Sequence, residues 1–386
     1  MKKILLLILS GVFFGCSAQT THEPPFLEDA INLSIQYLKN NTLPSGRFVY
    51  IRHNIAETTY DTVDYNALRH AGTLYAMYQC ERYRQDTTLR AIRLRASHYF
   101  IKNFIEKIDN ERFAVVSKGE EEGKRNNRVA KLGGAGLALI ALSNLYIEKQ
   151  IDLDILTGLG NFILFMQEPN GNFRSKFLLK TNQIDTAFYS LYYPGEAALG
   201  LLYLNDVNPQ EKWIVSAKKA LLYLADRRKD QGTNVEFDHW ALLATQKLFD
   251  TPDNLLTQAE KQVIQKHAEQ IANSIINTQI LDKSHRFYGS FLNNIRPGSI
   301  GTIMEGLVAA YCVTNDKELQ EKIKNTLIAG VTFLSNTQIK QGYAQGGLPA
   351  RADWEYTKSL KDGMVRIDNV QHVLSAWITF KKFVSE

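Results

Sequence analysis

The chain has 386 residues, is 45% hydrophobic and 22% charged, and carries a formal charge of +5. That composition is ordinary for a folded globular protein and excludes a disordered or fibrous chain. Two of the positive charges are Lys2 and Lys3 at the start, and the remainder is too weak and too scattered for a nucleic-acid surface.

The amino terminus reads as a targeting segment. Lys2 and Lys3 precede an apolar run, 4–14, too short to cross a bilayer. Phe13-Phe14-Gly15-Cys16 then resembles a bacterial lipobox, whose cysteine is acylated and becomes the new first residue. The alternative is ordinary secretory cleavage after Cys16-Ser17-Ala18, a small-x-small site. Both readings put the mature protein outside the cytoplasm. The acylated form is expected in the bacterial envelope, at the outer membrane facing the periplasm, touching the membrane only through its lipid. Residues 1–16 are thus the signal and lipidation segment, 17–25 a tether ending in Pro24-Pro25, and 26–386 one domain.

From residue 26 onward helices alternate with loops. Amphipathic, charge-bearing segments at 26–38, 89–108, 153–166, 213–224, 256–276 and 319–334 read as an outer, solvated layer. Between them lie six segments that are apolar nearly all round and rich in Ala and Gly: 74–83, 136–146, 197–204, 241–249, 307–311 and 373–380. Such helices belong inside other helices. The first three begin roughly 60 residues apart, a period that fits a repeated helical hairpin. Twelve helices alternating in this way give an all-α fold, an (α/α)6 toroid; an open α-solenoid is the alternative. Cys80 and Cys312 fall on the first and fifth inner segments, which are not ring neighbours. Both read as buried free thiols.

Inner-to-outer links look short and outer-to-inner links look long: 39–65, 109–130, 167–192, 281–299 and 338–367. In a ring of hairpins all inner helices point one way, so the long links and the inner amino ends share one face, where binding and catalysis usually sit. The long links repeat a theme of a Gly or polar pair followed by an aromatic: Gly46-Arg47-Phe48, Glu111-Arg112-Phe113, Gly171-Asn172-Phe173, His285-Arg286-Phe287 and Gln341-Gly342-Tyr343. Gln167-Glu168-Pro169-Asn170-Gly171-Asn172-Phe173 resembles the Gln-x-x-x-Gly-x-aromatic motif of terpene cyclases and protein prenyltransferases, which are α/α toroids. Their aspartate-rich acid motifs and zinc-ligand sets are missing, so the motif reads structurally, as a turn whose aromatic pins the loop to the ring. The hairpin count also resembles the six-hairpin glycosidases and related uronate lyases, though no single family's signature matches. Consecutive aspartates, found in several mannanase and unsaturated-glucuronyl groups, do not occur.

Each inner helix presents unpaired amides and about half a positive charge at its amino end. Glu196, Asp238, Glu305 and Asp368 sit in the first turn or at the cap of those helices. Asp238 and Asp368 are also good N-cap residues. Glycoside hydrolysis needs two carboxylates, one protonated and one ionised. Asp238 and Glu196 are the expected pair, with Glu305 and Asp368 next. His70, His239 and His372 stand at the same level and could move protons or simply bond within the wall. Arg69, Lys131, Arg351 and Arg366 suit carboxylate recognition or local ion pairs. Tyr192, Tyr193 and Trp240 are candidate platforms for sugar rings, with Tyr65, Tyr288 and Trp354 behind them. Neither a metal site nor a cofactor is expected.

The expected function is therefore an envelope-anchored carbohydrate-active enzyme, hydrolysing a glycosidic bond of an oligo- or polysaccharide, anionic ones included. One alternative is a lyase or epimerase acting on uronic acids, with Tyr192, Tyr193 or His70 moving the proton and Arg69 neutralising the uronate. A second is a non-catalytic envelope protein that binds glycan or a partner protein. Nucleic acid is not an expected partner.

Overall fold

A helix that is apolar on every side can only be stable with neighbours on every side, and this requirement shapes the molecule. The computed structural model describes residues 26–54, 65–117, 128–292, 294–357 and 359–385. In chain order its helices are α1 (Leu27–Asn40), α2 (Ala67–Arg84), α3 (Thr87–Phe104), α4 (Leu132–Ile147), α5 (Leu153–Phe165), α6 (Tyr193–Val207), α7 (Glu211–Arg228), α8 (His239–Asp250), α9 (Gln258–Ile276), α10 (Pro297–Val313), α11 (Lys317–Thr337), the single turn α12 (Trp354–Thr357) and α13 (Ile367–Ser385). Odd-numbered helices up to α11 form the outer layer. The even-numbered ones up to α10, with α13, form the inner layer.

The inner helices close on themselves. α2 packs on α4, α4 on α6, α6 on α8, α8 on α10, α10 on α13, and α13 returns to α2. This is the expected (α/α)6 toroid and not an open solenoid. The buried stretch Leu132–Leu142 of α4 shows why the layers sort as they do: every residue in it is buried. Inner backbones touch where side chains are missing. A Cβ on Gly200 of α6 would sit 2.6 Å from the carbonyl oxygen of Gly136 in α4, and one on Gly195 would sit 2.5 Å from the amide nitrogen of Ala241 in α8.

The long links are more ordered than loops. Those after α3 and α5 build an antiparallel sheet in the order β2 (Ile105–Lys107), β3 (Phe113–Ser117), β4 (Val129–Lys131), β5 (Lys176–Leu178) and β6 (Gln183–Asp185). Val116 faces Ala130, Ala130 faces Phe177 and Phe177 faces Ile184. β1 (Ile51–Arg52) pairs with β7 (Val365–Arg366), tying the first long link to the last. Strands of two to five residues alternate too briefly to be seen in the sequence.

The glutamine–glycine–aromatic motif is a staple between three of the long links and the next outer helix. The Gln167 side-chain amide donates to Gly171 O (3.2 Å) and to Ser216 O of α7 (2.9 Å). Gly171, at φ +95°, lies so close to Lys219 of α7 that a Cβ would clash with its carbonyl, and Phe173 is fully buried. Gln279 repeats the arrangement toward Gly289 and Thr326 of α11, and Gln338 toward Gly346 and Ala30 of α1. In the later repeats the pinned residues are Phe291 and Leu348. Phe287 is only partly buried and Tyr343 is exposed, which corrects the sequence assignment there. A second correction concerns the thiols. Cys80 is buried, but Cys312, in the last turn of α10, is exposed. Among the described residues no helix is long and apolar enough to cross a membrane. Cys16 lies outside the described residues.

Candidate active site

The amino ends of five inner helices and the link before α13 enclose a cavity of about 620 Å³, a size suited to a small organic ligand. Ten residues singled out in the sequence line it: Arg69 of α2; Tyr192, Tyr193 and Glu196 at the start of α6; His239 and Trp240 at the start of α8; and Arg351, Arg366, Asp368 and His372 in and around the start of α13. Glu305 stands one layer behind, in α10, where its Oε2 lies 2.9 Å from Nδ1 of His372.

Asp238, His70 and Lys131 do not line this cavity, and neither do the secondary platform candidates Tyr288, Trp354 and Tyr65, the last buried against His70. Asp238 is fully buried, accepting from the Ala241 amide at 3.0 Å and from the Arg228 guanidinium at 2.9 Å. It caps α8, and both its oxygens are engaged away from the cavity, so the expected Asp238–Glu196 pair is not assembled there. His70 is boxed by Phe48, Tyr99 and Phe100, with Nδ1 on Tyr65 Oη (2.6 Å) and Nε2 on Ala96 O (3.0 Å). Burial holds its pKa down, to about 3. Lys131 is buried at the start of α4. For Asp238 and His70, wall-building roles account for every bond they make.

The charged groups of the mouth are paired in a definite way. Asp368 accepts from Arg69 Nε at 3.0 Å and from Arg366 at 2.5 and 2.8 Å. Burial pushes its carboxyl up, but Arg69 and Arg366 outweigh this and hold it below the usual range, hence ionised. Arg69 also bonds Tyr50 Oη. Arg351 is held by Asp353 at 2.9 and 3.0 Å. The arginines expected to clamp a uronate are therefore already engaged with protein carboxylates.

Glu196 and His239 have no such partner. Glu196 is 5% exposed and its Oε2 meets no hydrogen-bond donor. Burial, assisted by the nearby Asp238 charge, pushes its pKa up to about 8. His239 is buried and its Nε2 has no partner. Burial, with His372 adding to it, holds the ring well below its usual pKa, so it is a neutral imidazole. The two rings lie 5.7 Å apart between centroids, near-perpendicular, and Tyr192 and Trp240 pack edge-on and tilted against His239 at 5.6 and 4.7 Å. Gln371 reaches Nε2 of His372 at 3.4 Å while Glu305 takes Nδ1, which fixes that ring from both sides.

Ligand atoms of His239, Glu305 and His372 all lie within 4.8 Å of one another. Zinc bonds of 2.0–2.2 Å at tetrahedral angles would bring such atoms to about 3.4 Å. The Glu305–His372 contact among them is a hydrogen bond of 2.9 Å. Sequence reasoning missed the wall residues Arg296 and Lys361. The signal for Arg296 was its place just before Pro297 at a helix start. Lys361, mid-link, carries none.

No family model matches this sequence, and comparison with curated proteins gives no match. Comparison with solved structures does. The GH76A α-1,6-mannanase of Salegentibacter sp. HEL1_6 superposes with a TM-score of 0.62 at 10% identity, over 93% of this chain and 99% of that one. A D-mannose isomerase gives 0.63 at 11% identity, over 95% and 100%. The cellobiose 2-epimerase of Spirochaeta thermophila DSM 6192 gives 0.64 at 11% identity, over 93% and 98%. What is shared at such identities is the fold: this chain is a six-hairpin (α/α)6 toroid.

Proposed function

We propose that this protein is a carbohydrate-active enzyme that moves a proton on a reducing sugar, epimerising or isomerising it through His239 and His372. The observation that carries the reading is that two imidazoles face each other in the cavity, one neutral and unpartnered, the other oriented by Glu305. In the open-chain sugar the C–H bond beside the aldehyde is the acidic one. His239 takes that proton, the bonding pair becomes the new C=C, and the carbonyl π pair moves onto oxygen, giving an enediolate that becomes the enediol once that oxygen is protonated. Returning a proton from the His372 side to the same carbon gives the epimer; returning it to the former aldehyde carbon gives the ketose. Trp240 and Tyr192 offer flat faces for the ring. The similarity to an isomerase and to epimerases fits this reading as analogy.

A hydrolytic reading has one observation in its favour. Glu196 protonated and Asp368 ionised are the two states that glycoside hydrolysis requires, and both residues line the cavity. Against it stands the mannanase, which is inactive when two consecutive aspartates are replaced; this chain has no consecutive aspartates. The deciding experiment incubates the protein with reducing mono- and disaccharides in D2O and follows them by NMR. Deuterium entering the carbon beside the aldehyde, lost in His239→Asn and His372→Asn, is the expected result. New reducing ends without exchange would establish the hydrolase instead.

As part of the same proposal, the protein works in the cell envelope, exported by its first residues and anchored through acylated Cys16. Its support is the sequence alone. Radiolabelled fatty acid should enter the expressed wild type and not Cys16→Ser; equal labelling, or none in either, would remove the anchor.

A further inference from the structure

The proton-transfer reading supplies a base and an acid for carbon but leaves the sugar oxygen unattended. Negative charge develops on that oxygen as the enediol forms, and a donor aimed at it is commonly the largest single contribution to such a reaction. Arginine is the usual candidate, yet Arg69 and Arg366 are committed to Asp368, and Arg351 to Asp353; Arg296, which makes no ion pair among the described residues, is exposed at the start of α10.

Glu196 is placed differently. It lies in the first turn of α6, which packs directly against the first turn of α8 bearing His239 and Trp240: a Cβ on Gly195 would touch the Trp240 backbone at 2.7 Å. Its carboxyl lines the cavity, is nine-tenths buried, and has one oxygen with no partner. A seat is kept open for that oxygen. Gly133 of α4 faces it so closely that a Cβ there would sit 1.9 Å from Oε2 and 2.5 Å from the Tyr193 ring. Gly133 is buried, helical and needs no special backbone angle, so what it contributes is room for this carboxyl. Oε2 is enclosed there with no donor, and a carboxyl desolvated in this way is held as the neutral acid.

Resting on the sugar proton-transfer reading above, we infer that Glu196 is a catalytic residue which, as a neutral acid, donates a hydrogen bond to the substrate oxygen that becomes the enediol hydroxyl. The proton stays with, or passes to, that oxygen as the C–H bond breaks toward His239, and it returns when the carbonyl re-forms, so no other reactant is consumed. The charged and titratable groups on the elements packed against this turn are Tyr192 and Tyr193 on its own, Lys131 before α4, Asp238 and His239 on α8, and Arg228 of α7 behind Asp238. Asp238 is answered by Arg228, and the net effect on Glu196 is to favour the protonated form at neutral pH.

The test has two readouts. The first needs no substrate: infrared difference spectra of wild type minus Glu196→Gln at pH 7 should show the carbonyl stretch of a protonated carboxyl, lost as pH rises through about 8. A carboxylate band in its place overturns the inference. The second is solvent exchange of the sugar proton. Glu196→Gln, still a donor, should keep activity within about tenfold and lose the alkaline fall near pH 8, whereas Glu196→Ala should lose about 10²–10³-fold in kcat with little change in KM. Gly133→Ala, which leaves the carboxyl present but displaced, should fall between them. Full activity in Glu196→Ala overturns the donor role while leaving the histidine mechanism standing. Exchange missing from the wild type on every sugar overturns the mechanism and the donor role together, and the infrared band still reports the acid's state.

Discussion

The two ends of the ring treat buried charge in opposite ways. At the end with the short links, Arg93 of α3 is fully buried and bridges Glu81 of α2 at 2.6 Å and Glu148 at the end of α4 at 2.7 Å. Carboxylates from two inner helices are answered there by two guanidiniums from one outer helix, Arg93 and the half-exposed Arg90, which reaches Glu81 at 3.5 Å and Glu148 at 3.3 Å, and the cluster clamps the layers together. At the mouth, Asp368 is answered twice over while Glu196 and His239 of neighbouring helices are left without partners. The closed end is built to hold, and the open end keeps groups poised for a visitor. That division is what a toroid permits: the closed end supplies rigidity, so the mouth can tolerate unsatisfied groups.

The strongest way to break this comparison is Arg93→Ala. It would leave Glu81 and Glu148 with only the half-exposed Arg90, and removing the buried partner of such an ionic cluster costs up to about 3–5 kcal/mol. Urea unfolding should show a loss approaching that order, with exchange activity per folded molecule unchanged. A loss under about 1 kcal/mol would mean that Arg90 and apolar packing hold the closed end without Arg93, and a selective loss of activity would mean the two ends are coupled.

Much of this architecture was legible because it follows from periodicity. The helix 132–147 is so uniformly apolar that only an inner position satisfies it, and the count of six such segments implied closure. The convergence of the inner amino ends followed from alternation and link length, which is why ten of the chosen residues line one cavity. Pairing was not legible. Asp238 and Glu196 both read as carboxylates at a helix start, but Asp238 is the N-cap of α8, tied back to the Ala241 amide and to Arg228 of α7, while Glu196 lies inside the first turn of α6 and faces the cavity. His70 and His372 differ in the same way: one meets an aromatic box and a backbone carbonyl, the other a carboxylate and the cavity. The sheet across the links was invisible because strands of three residues carry no period.

The smaller and sharper test sets the two mouth carboxylates against each other. Asp368 has a folded pKa held below its ordinary value of 3.8, so its ion pairs stabilise the fold above that value, and the contribution is lost as pH falls through the depressed one. Glu196 has its pKa raised from 4.5 to about 8, so its contribution is full below 4.5 and is lost as pH rises through about 8. Stability measured by thermal unfolding should therefore fall on the acid side in a way that Asp368→Asn flattens, and on the alkaline side in a way that Glu196→Gln flattens. Asp368→Asn should also lower stability at pH 7, because Arg69 and Arg366 lose the charge between them, whereas Glu196→Gln should not, because a neutral amide replaces a neutral acid. If both substitutions flatten the same limb, the two carboxylates share one environment. The contrast between an answered charge and a waiting acid, on which the reading of the mouth depends, would then be wrong.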